Sequence, residues 1–521
     1  MPRRRVGDAR PPAPTAPRPV HNVIANWTAY LLTFAVNFFI SPLIVNHLGA
    51  EAYGVWTLLA TLTAYLGLLD LGIRSAVTRY VARAEAQGDR KTATQIASAA
   101  LTVLVGLAGL ALVASLVLGL VAPSAFHIPT GYHTATLVVA VMAGASTSLA
   151  LVSGVFGGVL IGLQRFDLAG RVDVAVTLVR ATLVLVVVTH GGGLVALAGV
   201  QLLASLIAAV ATAGLALWMY PELRRRAPWG RGQLRLIVSF GGYSFVAQIG
   251  SSVVDRAGVI LAGVFLPMSA VAVYAIATAL IDYARALVGG IRTTLAPQAS
   301  ALEGQGQRDA LHDLTLRGVR YCSLLVLPIA ATFAVRGATF IGLWMGREFG
   351  APSGEILAIL AVRLACLGAT GAVGNVMLGA SRERAVAVLC VAEASITVAM
   401  VLLLVGPFGL LGVAWGAALP TVAAALLVWP WLLRESLGVE IRRYLSASWS
   451  RPATALLPFG AATWLVEELW APPSLFLFVV QVAVLLPIAF LGIWYVGLSD
   501  EERRECLELV GRRRAVTATH S

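Results

Sequence analysis

Four charged residues set in apolar stretches carry most of the chemistry this sequence offers: Asp255 and Arg256 in one stretch, Asp282 and Arg285 in the next. An ionised side chain at mid-membrane costs about 2.5–3.5 kcal/mol on insertion scales, so such residues face protein or water and tend to have partners. If the two stretches form an antiparallel hairpin about residues 266–269, residue 255 sits level with about residue 280. Two acids and two arginines then share one region, with Asp282 and Arg285 neighbours on a helical face. A guanidinium can bind two oxygens of a phosphate or carboxylate at once. Arg256 and Arg285 are therefore candidate anion ligands, and Asp255 and Asp282 candidates for orienting them or for coupling to protons. An equally physical reading is that the four pair off to hold helices together.

Weaker candidates lie elsewhere. Asp173, Thr177 and Arg180 fall on one helical face, with Arg180 the better-placed cation and Asp173 near a membrane surface. Arg363 and Glu393 stand within later apolar stretches, and Arg336 is expected to snorkel toward the outer surface. Asn26, Asn37 and Asn46 could line a polar cavity or hydrogen-bond across helices. His21, His47, His127, His133 and His190 fall at stretch ends without metal-ligand spacing, and Cys322, Cys366, Cys390 and Cys506 form no disulfide or metal pattern. No cofactor is implied.

These residues must be positioned by membrane helices. Of 521 residues 58% are hydrophobic and 12% charged, with a mean hydropathy of +0.83, a composition that calls for many spans. Runs long enough to cross the hydrocarbon recur from 23–46 to 473–497, about fourteen in all. The net charge of +12 does not indicate nucleic acid, because the arginines punctuate apolar runs instead of forming one patch. They concentrate in alternate loops: Arg74 to Lys91, Arg165 and Arg171, Arg224 to Arg235, Arg308 and Arg317, Arg382 and Arg384, Arg434 to Arg451, and Arg503 to Arg514. Positive charge resists translocation, so these loops and both termini are expected in the cytoplasm. The first twenty residues, rich in proline and arginine, read as a disordered tail without a signal peptide's cleavage site.

The chain also repeats itself. Residues 48–90 overlay 266–308 without a gap, with identities that include Tyr65/Tyr283, Gly72/Gly290, Arg74/Arg292, Gly88/Gly306 and Arg90/Arg308. Gly162-Leu163-Gln164-Arg165 matches Gly379-Ala380-Ser381-Arg382 at nearly the same offset. Six helices per repeat is an even number, so the copies share one orientation, as parallel repeats do. The expected architecture is an all-α integral membrane protein of about fourteen transmembrane helices. Two six-helix lobes, 21–220 and 237–433, surround a central cavity and are joined by a basic linker over 221–236. A loop over 434–451, helices thirteen and fourteen over 452–498 and a tail over 499–521 complete it. The positions of lobe one that match Asp255, Arg256, Asp282 and Arg285 are Asn37, Phe38, Ala64 and Gly67, all uncharged. The charged cluster is therefore expected in lobe two alone.

The stretch Leu48-Gly49-Ala50-Glu51-Ala52-Tyr53-Gly54-Val55-Trp56, followed by Leu69-Asp70-Leu71-Gly72-Ile73-Arg74-Ser75-Ala76-Val77-Thr78-Arg79-Tyr80, resembles the polysaccharide-export flippases. These belong to the multidrug/oligosaccharidyl-lipid/polysaccharide (MOP) superfamily. The resemblance implies a carrier that turns an undecaprenyl-diphosphate-linked oligosaccharide from the cytoplasmic to the outer leaflet of a bacterial inner membrane. It further implies cavity arginines that hold the diphosphate and any acidic sugars, and it points to Asn37, Arg256 and Arg285 on cavity-lining helices. A polysaccharide polymerase and glycosyltransferases are the implied partners, with the carrier itself a monomer. A drug or small-solute exporter of the same fold would favour a smaller, more acidic and aromatic cavity. A polytopic glycan-processing enzyme would need a catalytic outward loop, and the outward loops at 46–52 and 266–269 are short.

Overall fold

The computed structural model describes residues 19–224, 227–230, 232–234, 242–505 and 507–508, with side chains from Leu32 onward. Residues 1–18 of the expected tail, linker arginines Arg225, Arg226, Arg231 and Arg235, Cys506 and the closing arginines Arg512–Arg514 lie outside the described residues, as do the side chains of His21 and Asn26. The described chain is all helix and turn.

Lobe one contains α1 (Pro19–Leu66), α2 (Ile73–Ala86), α3 (Arg90–Ala125), α4 (His133–Gly162), α5 (Phe166–Thr189) and α6 (Leu194–Met219). Lobe two contains α7 (Gly242–Phe265), α8 (Met268–Gly304), α9 (Arg308–Trp344), α10 (Arg347–Gly379) and α11 (Glu383–Ala423), which continues into α12 (Trp429–Leu437). The short α13 (Ile441–Leu445) leads to α14 (Arg451–Leu469) and α15 (Leu475–Gly492). Eleven runs are long and apolar enough to cross a membrane. Two of them are each a pair of helices, because α1 turns at Gly49 (φ 78°) and α11 at Gly409 (φ 55°). Glycine reaches this backbone region without Cβ strain. With those pairs resolved and α14 added, the spans approach the expected fourteen.

The repeat is visible in the backbone. Gly88 and Gly306, 218 positions apart in the numbering, take φ 69° and 68°, and Gln164 and Ser381 both take φ 59°. Arg165 N donates to Leu160 O and Arg382 N to Met377 O, each at 2.9 Å. Identical turns at matched positions mean that the duplicated segments fold alike. One difference stands out: lobe one breaks its second helix at residues 67–72, with Leu71 and Gly72 at positive φ, whereas α8 runs unbroken through the matching Gly289 and Gly290.

Two expectations need correction. The stretch 434–451, expected as a loop, is mostly helical, because Tyr444 and Ala447 are buried against lobe two instead of lying in solvent. Arg336, expected to snorkel outward, is fully buried. Its Nε donates to Glu467 at 2.7 Å, its Nη2 donates to Gln481, and its guanidinium stacks 4.6 Å from the Phe478 ring. Glu467 and Gln481 belong to α14 and α15, so Arg336 pins the last two spans to lobe two, and a buried partner outweighs a distant headgroup.

Cores show how the lobes meet. One continuous core joins Val45, Tyr53, Leu58 and Leu59 of lobe one to Met268, Ile276 and Leu280 of lobe two. The other half of lobe one, from Ile73 to Ala108 with Val155 and Val159, has a separate core of its own. The shared core thus lies in the half away from the arginine-rich loops, while the other half of lobe one packs on itself. The closest approach is at Gly54, where a Cβ would lie 1.9 Å from the Met268 carbonyl oxygen.

Candidate functional site

Asp255 is the centre of a polar node in lobe two. It stands on α7, which packs against α8 and α11, while α8 also packs against α10. These neighbours bring two arginines to one carboxylate. Arg285 of α8 engages it with both nitrogens, Nη1–Oδ1 at 2.7 Å and Nη2–Oδ2 at 2.8 Å. Arg363 of α10 donates Nη2 to Asp255 Oδ1 at 2.9 Å and to the Val254 carbonyl at 3.2 Å. The Arg363 Nε reaches Thr421 Oγ1 at 3.4 Å, and Thr421 donates onward to Glu393 Oε1 at 2.7 Å. Asp282 lies 3.5 Å from Arg285 with 69% of its side chain exposed, whereas the Arg363 side chain is 4% exposed. The structure therefore brings Asp255, Asp282, Arg285, Arg363 and Glu393 into one continuous chain.

Arg256 stays within electrostatic range of Asp282 but joins the node through no hydrogen bond among the described residues. It is exposed, forms no ion pair among the described residues, and lies within electrostatic range of Tyr65 of lobe one. The physical reason is helical: adjacent residues project about 100° apart, so α7 turns Asp255 into lobe two and Arg256 toward the space between lobes. Tyr65 donates to Ser252 O across that space at 3.1 Å.

Lobe one has a polar node of its own, built on a single charge. Arg180 of α5 donates to Asn37 Oδ1 and, at 3.3 Å, to Gln201 Oε1. Asn37 and Asp255 are matched positions of the repeat, and each accepts from arginine; only the charge of the acceptor differs. Arg180 also lies within electrostatic range of Tyr283 of lobe two, whose ring meets Phe34 edge-on at 5.0 Å. Asp173, exposed on α5, is brought instead toward Arg74.

Arg292 was not singled out from the sequence. Its guanidinium lies over Gly371 of α10, where a Cβ would meet Cζ at 2.4 Å, and its buried Nε has no hydrogen-bond partner among the described residues. Arg74, its repeat mate, rests in the same way against Gly157 of α4, with Nη2 3.5 Å from a Cβ built there. The signal was present, since Arg74/Arg292 is one of the identities between the repeats.

Arg180, Arg256 and Arg292 thus carry positive charge with no ion pair among the described residues, while Asp255 is engaged by two arginines. Such an arrangement favours an anion between the lobes. No group of three His, Cys, Asp or Glu side chains that could hold a metal occurs among the described residues.

Residues 20–303 match the family model described as polysaccharide biosynthesis protein. The chain belongs to that family. It is 24% identical over 342 residues to the uncharacterized membrane protein EpsK of Bacillus subtilis (strain 168), a match spanning 63% of this chain and 65% of that protein's length. An inward-facing multidrug resistance MATE family transporter of the MOP superfamily superposes with a TM-score of 0.69 at 16% identity, covering 80% of this chain and 98% of that one. The lipid II flippase MurJ, in an inward closed conformation, gives 0.63 at 11% identity over 91% of this chain and 98% of its own. At these identities the likeness shows the fold, which is that of the MOP transporters and flippases. The chain is a multi-pass membrane protein with that fold.

Proposed function

We propose that this protein is a flippase that moves an undecaprenyl-diphosphate-linked oligosaccharide across a bacterial cytoplasmic membrane by alternating access, for polysaccharide biosynthesis. Both termini and the arginine-rich loops face the cytoplasm in this reading, so the half in which lobe one packs on itself is the side from which the substrate comes. The carrying observation is the pair of arginines without ion pairs among the described residues that reach toward the opposite lobe, Arg180 near Tyr283 and Arg256 near Tyr65, with Arg292 behind them inside lobe two. A glycan and a diphosphate lose their water partners in hydrocarbon, and a wet cleft with fixed cations replaces them while the lipid tail stays outside. Arg285 contributes when the anion competes with Asp255 and Asp282, which keep it oriented while the cleft is empty. Glu393, at the end of the lobe-two chain, and Asp173, near Arg74, are the candidate coupling groups. Rocking of the lobes would then expose the cleft to the other side. Glycosyltransferases and a polymerase would supply and consume the substrate.

Arg256 offers the cleanest test, because it can be changed without stranding a partner. Arg256→Lys should lower glycan export at normal membrane abundance, and Arg256→Ala should lower it further, since lysine keeps the charge but not the fork. Unchanged export in Arg256→Ala would remove the anion-site reading.

One observation favours a second reading, a small-solute exporter: the inter-lobe wall is partly aromatic, with Phe38 stacked 4.8 Å from Trp344 and Phe39 exposed. Cells lacking the protein would then become sensitive to cationic drugs with glycan export intact.

A further inference from the structure

Helices α5 and α6 lie together near one end and diverge at the other. Val184 of α5 packs with Leu197 and Val200 of α6 in the half away from the arginine-rich loops. In the other half a groove of about 290 Å³ opens between the helices, walled by apolar side chains such as Ala175, Val179, Ala211 and Leu215. Its one charged wall residue is Arg171. From Leu168 to Val179 the groove follows α5 for about 16 Å at 1.5 Å per residue, close to the ~15 Å depth of one leaflet's hydrocarbon.

Three features identify what the groove fits. Arg171 is exposed and makes no hydrogen bond or ion pair with a described residue. Asp167, the acid within its electrostatic range, is already held by Arg165 through two bonds of 2.9 and 3.0 Å. Trp218 sits at the same end of α6, on the helical face of Ala211 and Leu215, with 69% of its surface exposed, as indole rings do at headgroup depth. Helix α5 is also poorly covered by protein, with only Val172 and Val184 buried along its 24 residues.

We propose that this groove is a binding site for one resident anionic phospholipid of the leaflet on the arginine-rich side, with an acyl chain between α5 and α6 and its phosphate on Arg171. The bound lipid completes the packing of α5, the helix that presents Arg180. The site stands independently of the transported substrate.

Full-length protein, stripped of lipid in detergent, provides the test by native mass spectrometry and thermal unfolding with phosphatidylglycerol or phosphatidylcholine of identical chains. The wild type should retain one phosphatidylglycerol and unfold at a higher temperature with it. Arg171→Gln should lose roughly tenfold in preference over phosphatidylcholine, and Ala175→Leu with Ala211→Leu should lose retention of both lipids. Unchanged preference in Arg171→Gln, or unchanged retention in the filled groove, overturns the proposal. So does an equal thermal shift from inorganic phosphate alone, or displacement by equimolar undecaprenyl phosphate, which would make the groove part of the transport route. Should the variants fold poorly, photoactivatable phosphatidylglycerol on the wild type decides: labelling within residues 168–179 or 207–218 supports the site, and labelling elsewhere overturns it.

Discussion

Asp255 answers to two guanidinium groups, and that sets the consequences of changing it. Removing its carboxylate leaves Arg285 with only the exposed Asp282 and leaves Arg363, almost fully buried, with Thr421 and a carbonyl. Breaking a buried pair by deleting one partner costs about 3–5 kcal/mol, so Asp255→Ala should lower the thermal unfolding temperature of the purified protein sharply. Asp282→Ala removes a pair that is mostly in solvent and should cost under about 1 kcal/mol; equal losses would contradict the geometry. At the matched position Asn37 accepts from Arg180 with a neutral amide. Asn37→Asp would give Arg180 a counterion, turning lobe one's node into a copy of lobe two's. Stability should hold or rise while glycan export falls, because a neutralised Arg180 competes poorly for a diphosphate. Export at the wild-type level would mean that Arg180 does not meet the substrate.

Few of the described helices carry a side-chain cap; Asp89 caps α3, Ser474 caps α15, and the segment after α15 has a cap of its own. Ser499 N donates to Glu502 Oε2 at 2.7 Å and Glu502 N donates to Ser499 Oγ at 3.3 Å, a reciprocal cap on a short helix. That helix docks on α9, where Arg320 reaches Glu502 at 2.6 Å and Arg317 reaches Glu505 at 3.0 Å. Burial pushes the Glu502 carboxyl up, but the Ser499 N–H and the Arg320 guanidinium outweigh it and hold the group below its usual 4.5. A depressed folded-state value means that this stabilisation is present above about pH 4.5 and is lost as pH falls through the lower folded value. The hydrogen-exchange protection of residues 500–505, the rate relative to the unstructured rate at the same pH, should therefore fall below about pH 4.5, and Glu502→Gln should show weak protection already at pH 7. The Ser-x-x-Glu pattern was legible in the sequence, yet 499–521 read as a tail because nothing local announces the distant Arg317 and Arg320. The same limit explains the other misses. Apolar length and loop charge located α7 and α8 and the hairpin that brings Asp282 and Arg285 beside Asp255. The partners of Arg336 lie more than a hundred residues away, as does the partner that joins Arg363 to the node. Repeat identity marked Arg292, but only packing shows that its guanidinium lies on Gly371 without a hydrogen bond to its Nε.

For the molecule as a whole the question is which face of the cleft is shut, and two accessibility experiments address it. In a background without native cysteines, Pro228→Cys and Glu348→Cys, both exposed positions, should label with an impermeant thiol reagent from opposite sides of the membrane, the first from the cytoplasm; labelling from one side would refute the span arrangement. The closed face rests on Gly54, whose lack of a Cβ lets α1 touch the Met268 carbonyl. Across the same seam Leu58 meets Gly263, the Trp344 indole N–H donates to Phe38 O at 3.0 Å, and His127 N donates to Gly263 O at 3.3 Å. A side chain at 54 cannot fit beside that carbonyl, so Gly54→Leu must separate the lobes there. In a two-state carrier, destabilising one closure shifts population toward the state in which that face is open and the arginine-rich face is shut. Leu58→Cys, fully buried in the wild type, should then label from the outside only when Gly54→Leu is also present. For this second experiment Cys322, buried within lobe two, is restored as the one native cysteine and serves as the internal control, which should stay unlabelled if the lobes have moved as bodies. Labelling of both cysteines would indicate unfolding. A Leu58→Cys that stays protected would show that the seam at Gly54 does not control the outer face.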